Sequence, residues 1–370
     1  MVERVVDVDE VTSSSLVPPT YNNKMIILGI ETSCDETALC LLETREQDGK
    51  IEYKILANIV NSQINLHREY GGVFPALAKR EHTKNLPILY KQLPEMKIDA
   101  IAVTQGPGLE IALWTGIVFA KELGEKLQVP VIPINHMEGH IVSTLLQGSS
   151  PHTNFERLRP MQLPSLAILI SGGHTEIVKV DEIGKYIILG RTLDDAVGEA
   201  FDKVARMLGL PYPGGHEVSK LAELARAEKL PKTITLPRPM IHSKDVNFSF
   251  SGLKTAVLYL LKELGNITGN QKKEICREFE DAVTEVLISK TKITMDENEY
   301  ETLIIGGGVI ANKHIRQAFE KLAQEYDLPL YLPTPGLTGD NALMIALAGV
   351  MKKDSTQTDF KAVGNLSLEN

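Results

Sequence analysis

Two histidines and a distant aspartate are the side chains of this sequence best suited to metal chemistry. His136 and His140, in the run His-Met-Glu-Gly-His, are four residues apart and would share one face of a helix, where both imidazoles can reach one ion. Asp340 is the candidate third ligand. Two histidines and one carboxylate leave coordination positions for substrate and suit Fe²⁺ or Zn²⁺. Two partly exposed histidines at a helix start, and an aspartate that caps a helix, are the open alternatives.

The same histidine pair is also compatible with a metalloprotease. In that class the general base is a glutamate next to one of the histidines in the chain. Glu138 lies midway between His136 and His140, about 200° around the helix from each at ~100° per residue, so it would point away from an ion. The position of this glutamate disfavours the metalloprotease alternative.

Glycine-rich turns after predicted buried strands are candidate sites for an anion or a nucleotide. The glycines of the Ser-Gly-Gly-His-Thr run at 171–175 permit a nest conformation, which turns backbone N–H groups toward an anion, although an ordinary hairpin turn is the alternative. The glycines at 306–308 would allow the backbone to approach an adenosine closely. The turn at 212–215 could contact a ribose, whereas Asp202 taken alone is better explained as part of an exposed acidic helix face.

The elements that would position these residues follow the same order twice along the chain. The first half has three strands, a helix, a strand, a helix and a strand, and the second half begins again with three strands followed by helices. The strands are predicted over 25–30, 38–43, 51–60, 98–104, 131–134, 166–170, 176–180 and 186–191, with helices over 75–93 and 109–127 and from Asp194.

This repetition predicts a duplicated α/β fold with two domains. It is the plan of the actin, Hsp70 and sugar-kinase superfamily, in which the active site lies in the cleft between the domains. The predicted organisation is a flexible extension over 1–24, a first domain over 25–145 and 335–355, a second domain over 146–334 and a polar tail over 356–370. The final helix, from about Asp340, is expected to return to the first domain.

Composition limits the possible functions. The chain of 370 residues is 43% hydrophobic and 24% charged, which supplies material for two cores. Its net charge of −9 argues against a protein that coats nucleic acid by bulk electrostatics, so any RNA contact must be local. The run 247–254, Asn-Phe-Ser-Phe-Ser-Gly-Leu-Lys, could contact RNA or pack in a core.

Cysteine usage and hydropathy indicate a cytoplasmic protein with no membrane span. The three cysteines are odd in number and lack CxxC spacing, which suits a reducing compartment. The first 24 residues have neither an apolar segment nor an Arg-rich pattern, so no targeting signal is predicted. No run of 18 apolar residues predicts a membrane helix.

Ordered motifs along the chain resemble those of the tRNA N6-adenosine threonylcarbamoyltransferases, once labelled glycoproteases. The likeness covers roughly residues 25 to 352, and His174 resembles the bacterial or organellar branch. Ala76, Ile111 and Trp114 depart from the family pattern at one edge of the cleft. The motifs are Gly29-Ile-Glu-Thr-Ser-Cys-Asp-Glu-Thr37, Gly106-Pro-Gly-Leu109, His136-Met-Glu-Gly-His140, Ser171-Gly-Gly-His-Thr175, Gly198-Glu-Ala-Phe-Asp-Lys203, Tyr212-Pro-Gly-Gly215, Phe248-Ser-Phe-Ser-Gly-Leu-Lys254 and Gly306-Gly-Gly-Val-Ile-Ala-Asn312.

The resemblance implies a complete transfer reaction. The donor would be threonylcarbamoyl-adenylate, and the acceptor N6 of adenosine 37 in the anticodon loop of tRNAs that read codons beginning with A, giving t6A. One divalent metal ion, Fe²⁺ or Zn²⁺, would bind to His136, His140 and Asp340 and polarise the carbamoyl carbonyl while AMP leaves. Asp35 or Glu36 is the hypothesised base for the N6 proton. The implied substrate-binding residues are Leu169, Ile170, Ser171, Gly172, Gly173, Asp202, Gly215 and Asn312.

The resemblance also implies partners, and rival functions remain. The implied partners are a paralogous dimerisation subunit and a small ATPase in bacteria, whereas an organellar member could act alone as a homodimer. A metalloprotease is one rival. A phosphotransferase or ATPase of the same fold is another, although it would have no use for the histidine pair. A non-catalytic scaffold is the third.

Overall fold

The computed structural model describes residues 24–47, 49–353 and 359–369. The extension predicted over 1–24 lies outside the described residues except for Lys24, and so do five residues around the start of the predicted tail, 354–358. Among the described helices, none is both long enough and apolar enough to cross a membrane.

Six strands form the sheet of the first domain. They are β1 (Met25–Glu31), β2 (Glu36–Gln47), β3 (Lys50–Ser62), β4 (Ala100–Gly106), β5 (Val131–Asn135) and β6 (Glu156–Arg157). Their spatial order is β5-β4-β1-β2-β3-β6. β1 to β3 form an antiparallel meander, whereas β4 and β5 run parallel to β1. β1 and β4 are covered on both faces, which explains their nearly continuous apolar sequences.

The second sheet repeats the first. Its strands are β7 (Ser165–Ile170), β8 (Thr175–Glu182), β9 (Lys185–Arg191), β10 (Thr302–Gly306) and β11 (Leu330–Tyr331). Their order, β11-β10-β7-β8-β9, matches β5-β4-β1-β2-β3 strand for strand, with the same pattern of parallel and antiparallel pairs. The predicted duplication and the predicted two-domain α/β fold are therefore confirmed.

The helices fill the connections and the faces of the two sheets. Those of the first half are α1 (Ile64–His67), α2 (Pro75–Tyr90), α3 (Glu110–Leu127) and α4 (His136–Ser143), with a 3-10 turn at Arg68–Tyr70. Those of the second half are α5 (Val197–Met207), α6 (Gly214–Ala227), α7 (Ser251–Leu264), α8 (Gly269–Glu297), α9 (Lys313–Glu325) and α10 (Ala342–Met351), with a 3-10 turn at Gly308–Ala311.

The last helix of each half crosses to the other domain. α10 packs with β1 and β4 in the core of the first domain, as predicted. It approaches β1 so closely that a Cβ on Gly29 would lie 2.2 Å from Ala342 O, which only glycine permits. From the first half, Met137 and Ile141 of α4 pack with Leu169 and other apolar residues of the second sheet. The N-terminal end of α4 and the residues just before α10 therefore meet between the two domains.

Two segments outside the repeats help to enclose the cleft. β6 extends the first sheet by pairing with β3, although it lies in the range predicted for the second domain. Residues 359–369, predicted as a polar tail, pack against the body of the protein. Phe360 is buried in the first domain, and Leu368 packs beside the second sheet. Because only a few apolar residues anchor this segment, its polar composition gave no sign of the packing.

Candidate active site

The structure brings the three predicted metal ligands together. α4 starts directly after β5, and Asn135 caps it by accepting hydrogen bonds from the N–H groups of the first turn. His136 and His140 are buried on one face of this helix. Their Nε2 atoms each lie 3.3 Å from Asp340 Oδ1, and one ligand atom of each residue lies within 4.8 Å of the others.

The residue after Asp340 resolves the alternative role of this aspartate. Asn341 is the N-cap of α10, and its Oδ1 accepts a hydrogen bond from Met344 N at 3.1 Å. Asp340 is therefore not needed as the cap, so the helix-cap alternative is wrong. Its carboxylate instead faces both imidazoles, as a third ligand would.

The electrostatics of the cluster depend on tight pairing between acids and imidazoles. Burial alone would lower the pKa of His136, but Asp340 and Glu31 raise that pKa well above its usual value. Burial would likewise raise the pKa of Asp340, and the two histidines lower it well below its usual range. His174 lies close by, and its pKa is lowered to about 4 by burial and by His136 and His140.

The donor set fits a divalent metal ion. His140 Nδ1 is buried without a hydrogen-bond partner in the described structure, and His140 Nε2 lies 3.3 Å from Asp340 Oδ1 without forming a well-aligned hydrogen bond, a costly arrangement for buried polar atoms unless an ion is bound. Two imidazoles and a carboxylate are a combination that binds Fe²⁺ or Zn²⁺. These residues could therefore hold one ion with coordination positions left for a substrate.

Glu138 points away from the metal ligands, as the helix geometry predicted. Its carboxylate is buried, accepts a hydrogen bond from Tyr186 Oη at 3.0 Å and forms an ion pair with Lys352. A glutamate held in this way cannot act on a water bound at His136 and His140. The structure gives the metalloprotease alternative no general base at this position.

The predicted metal ligands border one of two neighbouring cavities. We call the smaller cavity the inner cavity, with a volume of about 290 Å³, and the larger one, which His136 and Asp340 line, the cleft cavity, with a volume of about 720 Å³. Gly172, Asp202 and Gly308 line both, so the two cavities lie next to each other. The inner cavity is also lined by Gly198, Phe201, Pro213, Gly215, His216, Ser219, Val309, Ala311 and Asn312. The cleft cavity includes His136, Asp340, Ser171, Gly173, His174, Ser33, Cys34, Lys203, Arg206 and Tyr212.

The turn at 171–173 is fixed by the start of α5. Gly198 N and Glu199 N donate to the carbonyl oxygens of Ser171 and Gly172 at 3.2 and 3.1 Å. Ser171 N donates within the turn, to His174 O at 2.8 Å. A Cβ on Gly172 or Gly173 would meet nothing within 4 Å, so both glycines border open space. Their backbones are therefore accessible to a ligand in the cavities.

Predicted ligand contacts in the second domain fall into two groups. Asp202, Gly215 and Asn312 line the inner cavity, and Asp202 Oδ1 accepts a hydrogen bond from Gly214 N at 2.7 Å. The side chains of Leu169 and Ile170 do not line either cavity, because β7 directs them into the hydrophobic cores. Contacts to these two residues are thus limited to their backbone.

The candidate bases lie beside the cleft cavity but do not line it. Asp35 and Glu36 follow Ser33 and Cys34, which do line it. Burial, Asp35 and Asp340 raise the pKa of the half-buried Glu36 to about 9, so Glu36 is protonated at neutral pH. Asp35 is buried, and its Oδ2 has no hydrogen-bond partner in the described structure. The catalytic role of either residue stays a prediction.

The aromatic run at 247–254 is part of the core. Phe248 and Phe250 are fully buried, with their rings stacked at a centroid distance of 6.0 Å. Lys254 forms an ion pair with Asp195 Oδ2 at 2.9 Å. The two aromatic side chains therefore pack in the core, and an RNA contact by the polar residues of this run stays a prediction.

Sequence reasoning missed three contributors to the site. Glu31 accepts a hydrogen bond from His136 Nδ1, and the available signal was a charged residue at the end of an apolar strand. Gly364 and Asn365 line the cleft cavity because Gly364 O accepts a hydrogen bond from Gly108 N at 3.0 Å. No sequence pattern marks that contact, which joins segments more than 250 residues apart.

Comparisons with known proteins relate the whole chain to one enzyme family. A family model for tRNA N6-adenosine threonylcarbamoyltransferase (TsaD) matches residues 54–347. A protein of that name from Thermosipho melanesiensis is 44% identical over 351 residues, which cover 93% of this chain and 100% of the relative. Another from Trichlorobacter lovleyi is 42% identical over 332 residues, covering 88% and 91% of the two chains. A third from Polynucleobacter asymbioticus is 45% identical, covering 89% and 92%.

Solved structures support the fold alone. The crystal structure of full-length HypF in its phosphate- and nucleotide-bound form superposes with a TM-score of 0.53 at 14% identity, over 92% of this chain and 48% of that chain. HypF from T. kodakarensis gives a TM-score of 0.52 at 12% identity, over 89% and 48%. The chain thus spans about half the length of these two proteins.

Proposed function

We propose a specific transfer reaction for this chain, which belongs to the tRNA N6-adenosine threonylcarbamoyltransferase family and is therefore an acyltransferase. In this reaction the threonylcarbamoyl group of threonylcarbamoyl-adenylate is transferred to N6 of adenosine 37. The acceptors are tRNAs that read codons beginning with A, and the product is t6A. A tRNA acceptor agrees with the cytoplasmic location predicted from the sequence.

One observation carries this proposal: a second, glycine-rich cavity lies next to the cavity that the predicted metal ligands line. The inner cavity is lined by several glycines and by Asp202 and Asn312, and it shares Gly172, Asp202 and Gly308 with the cleft cavity, which contains His136 and Asp340. An adenylate bound across both would place its adenosine in the inner cavity and its acyl group near the metal ligands. A kinase of this fold would not need the histidines there.

The reaction joins the N6 nitrogen of the acceptor to the carbamoyl carbon and breaks the bond from that carbon to the phosphate oxygen of AMP. His136, His140 and Asp340 would hold the divalent ion, which when bound supplies Lewis acidity to the carbonyl. Gly172 and Gly173 line the cleft cavity, and their N–H groups would receive the negative charge of the departing phosphate.

The acceptor amine must also lose a proton. Of the two predicted bases, Glu36 is the weaker candidate, because burial and the neighbouring Asp35 raise its pKa and so favour its protonated form. Substituting each separately, as Asp35→Asn and Glu36→Gln, distinguishes them in single-turnover transfer. A rate unchanged in Asp35→Asn would remove the residue from this role.

The proposal is tested by transfer of labelled threonine from threonylcarbamoyl-adenylate to tRNA. The protein is assayed alone and with a paralogous dimerisation subunit and a small ATPase, which we propose as partners, or as a homodimer. His136→Ala/His140→Ala should lose both incorporation and bound metal, whereas His242→Ala, at an exposed position outside both cavities, should retain them. Absence of incorporation under every condition, from folded metal-loaded protein, would overturn the proposed function.

A further inference from the structure

A buried carboxylate outside the ligand set contacts the metal site from the first sheet. Glu31 is the last residue of β1 and is fully buried. Its Oε2 lies 3.0 Å from His136 Nδ1 and accepts a hydrogen bond from Thr104 Oγ1 at 2.6 Å, and its Oε1 accepts one from Ser33 N. Neither oxygen is directed to solvent, so the whole carboxylate is used inside the protein.

From this geometry we propose that Glu31 is a positioning residue that fixes the tautomer and orientation of His136 for metal binding. The inference rests on the proposed metal-dependent function. A carboxylate can only accept at Nδ1, so it holds a ring proton on that nitrogen and leaves Nε2, which lies toward Asp340, as the nitrogen that can bind an ion. The orientation of the ring is thereby set before any ion arrives.

The two histidines differ in this respect. His140 Nδ1 is buried and has no hydrogen-bond partner among the described residues, so no comparable group orients that ring from behind. Of the two histidines, only His136 thus has its Nδ1 held by a hydrogen bond within the described residues. Thr104 and Ser33 hold Glu31 in turn, and these residues come from β4 and from the turn after β1, so the sheet of the first domain orients the ligand.

An amide of the same size cannot replace the carboxylate. Glu31→Gln converts one of the two acceptor oxygens into a donor. If the amide NH₂ faces His136, it forces the ring proton onto Nε2, the nitrogen needed by the metal. If it faces Ser33 N–H instead, two donors oppose each other in a buried site. Either orientation disturbs the site, although the volume of the side chain is unchanged.

The test measures metal affinity directly, without tRNA or donor. Zn²⁺ dissociation constants are determined by competition with a chelator, and Co²⁺ is added as a spectroscopic probe of the ligand geometry. Glu31→Gln should bind Zn²⁺ about 10- to 100-fold more weakly than the unsubstituted protein, with an altered Co²⁺ absorption band. Thr104→Val, which removes one hydrogen bond to Glu31, should show a smaller loss in the same direction, about 3- to 10-fold.

Glu138→Gln is the matched control. Glu138 is equally buried and lies between the two ligands in the chain, yet it faces Tyr186 and Lys352. It should leave Zn²⁺ affinity within about twofold of the unsubstituted value. Equal affinities in Glu31→Gln, Thr104→Val and the control, or absence of Zn²⁺ binding that depends on His136 and His140, would overturn the inference. Failure of transfer activity with intact Zn²⁺ binding would instead count against the proposed function.

Thr104→Val also covers the case in which Glu31→Gln fails to fold. Thermal unfolding of each apo variant identifies such a failure, and affinities are compared only for folded protein. If Thr104→Val is folded and binds Zn²⁺ as tightly as the control, the positioning role is refuted on that variant alone.

Discussion

A methyl group added at Gly198 tests whether the position of the turn at 171–173 controls nucleotide binding. Gly198 lies in the first turn of α5, and its N–H holds Ser171 O. A Cβ there would lie 2.7 Å from Gly172 Cα and 2.8 Å from Ser171 O. The turn would have to move away by about 0.7 Å to reach the 3.4 Å of ordinary contact.

The expected magnitude follows from this overlap. Overpacking of this kind costs about 1–3 kcal/mol, so Gly198→Ala should lower the free energy of unfolding by about that amount. Binding of a phosphate to the turn requires the original position to be restored. At ~1.4 kcal/mol per factor of ten, the dissociation constant for AMP should therefore rise by about 5- to 140-fold.

Calorimetric titration with AMP and unfolding in urea separate the two effects. Gly252→Ala is the control, because Gly252 lies at the start of α7 and a Cβ there meets nothing within 4 Å. It should preserve both stability and AMP affinity. Gly172→Ala, whose Cβ would enter the cavities, should weaken AMP binding with little loss of stability. If Gly198→Ala loses stability but binds AMP like the control, the turn does not contact the phosphate.

Two further predictions concern the cap of α9 and the titration of Glu36. Asn312→Ala removes the hydrogen bond that Asn312 accepts from His314 N and the one that it donates to Glu280 Oε1. The free energy of unfolding should therefore fall by about 1–2 kcal/mol, and AMP should bind more weakly. An unchanged urea midpoint would contradict this prediction. The pKa of Glu36 is raised from 4.5 to about 9 in the folded protein, so the folded state binds the Glu36 proton more tightly than the unfolded state. The stability that this group contributes is therefore fully present below pH 4.5 and is lost as the pH rises from about 4.5 toward 9. The urea midpoint of Glu36→Gln relative to the unsubstituted protein should therefore increase from pH 5 to pH 9, and a difference independent of pH would refute the assignment.

Much of the fold could be predicted because each strand is an apolar run bounded by polar turns. The predicted strand 166–170 and helix 109–127 agree with β7 (Ser165–Ile170) and α3 (Glu110–Leu127) to within one residue. The sequence predicts helices from Asp194 onward without separating α6, α7 and α8. The packing of residues 359–369 and the pairing of β6 depend on distant partners, which local sequence does not encode.

The candidate site was predicted unevenly for a similar reason. The spacing of His136 and His140 specifies one helix face, so this pair could be found locally. Asp340 is one of 48 acidic residues, and only the structure shows that Asn341 rather than Asp340 caps α10 and that Asp340 lies beside both histidines. Glu31 has no local signal beyond a charge at the end of an apolar strand, because its function depends on contact with a residue 105 positions away.

The duplication itself explains why the metal ligands meet. α4 follows β5 in the first half, and α10 follows β11 in the second, so the two helices are equivalent elements of the repeat. Each crosses to the opposite domain, and their N-terminal ends therefore converge between the domains. His136 begins one of these helices and Asp340 directly precedes the cap of the other. Since the ligands come from both halves, the proposed metal site can form only when the two domains are correctly packed together.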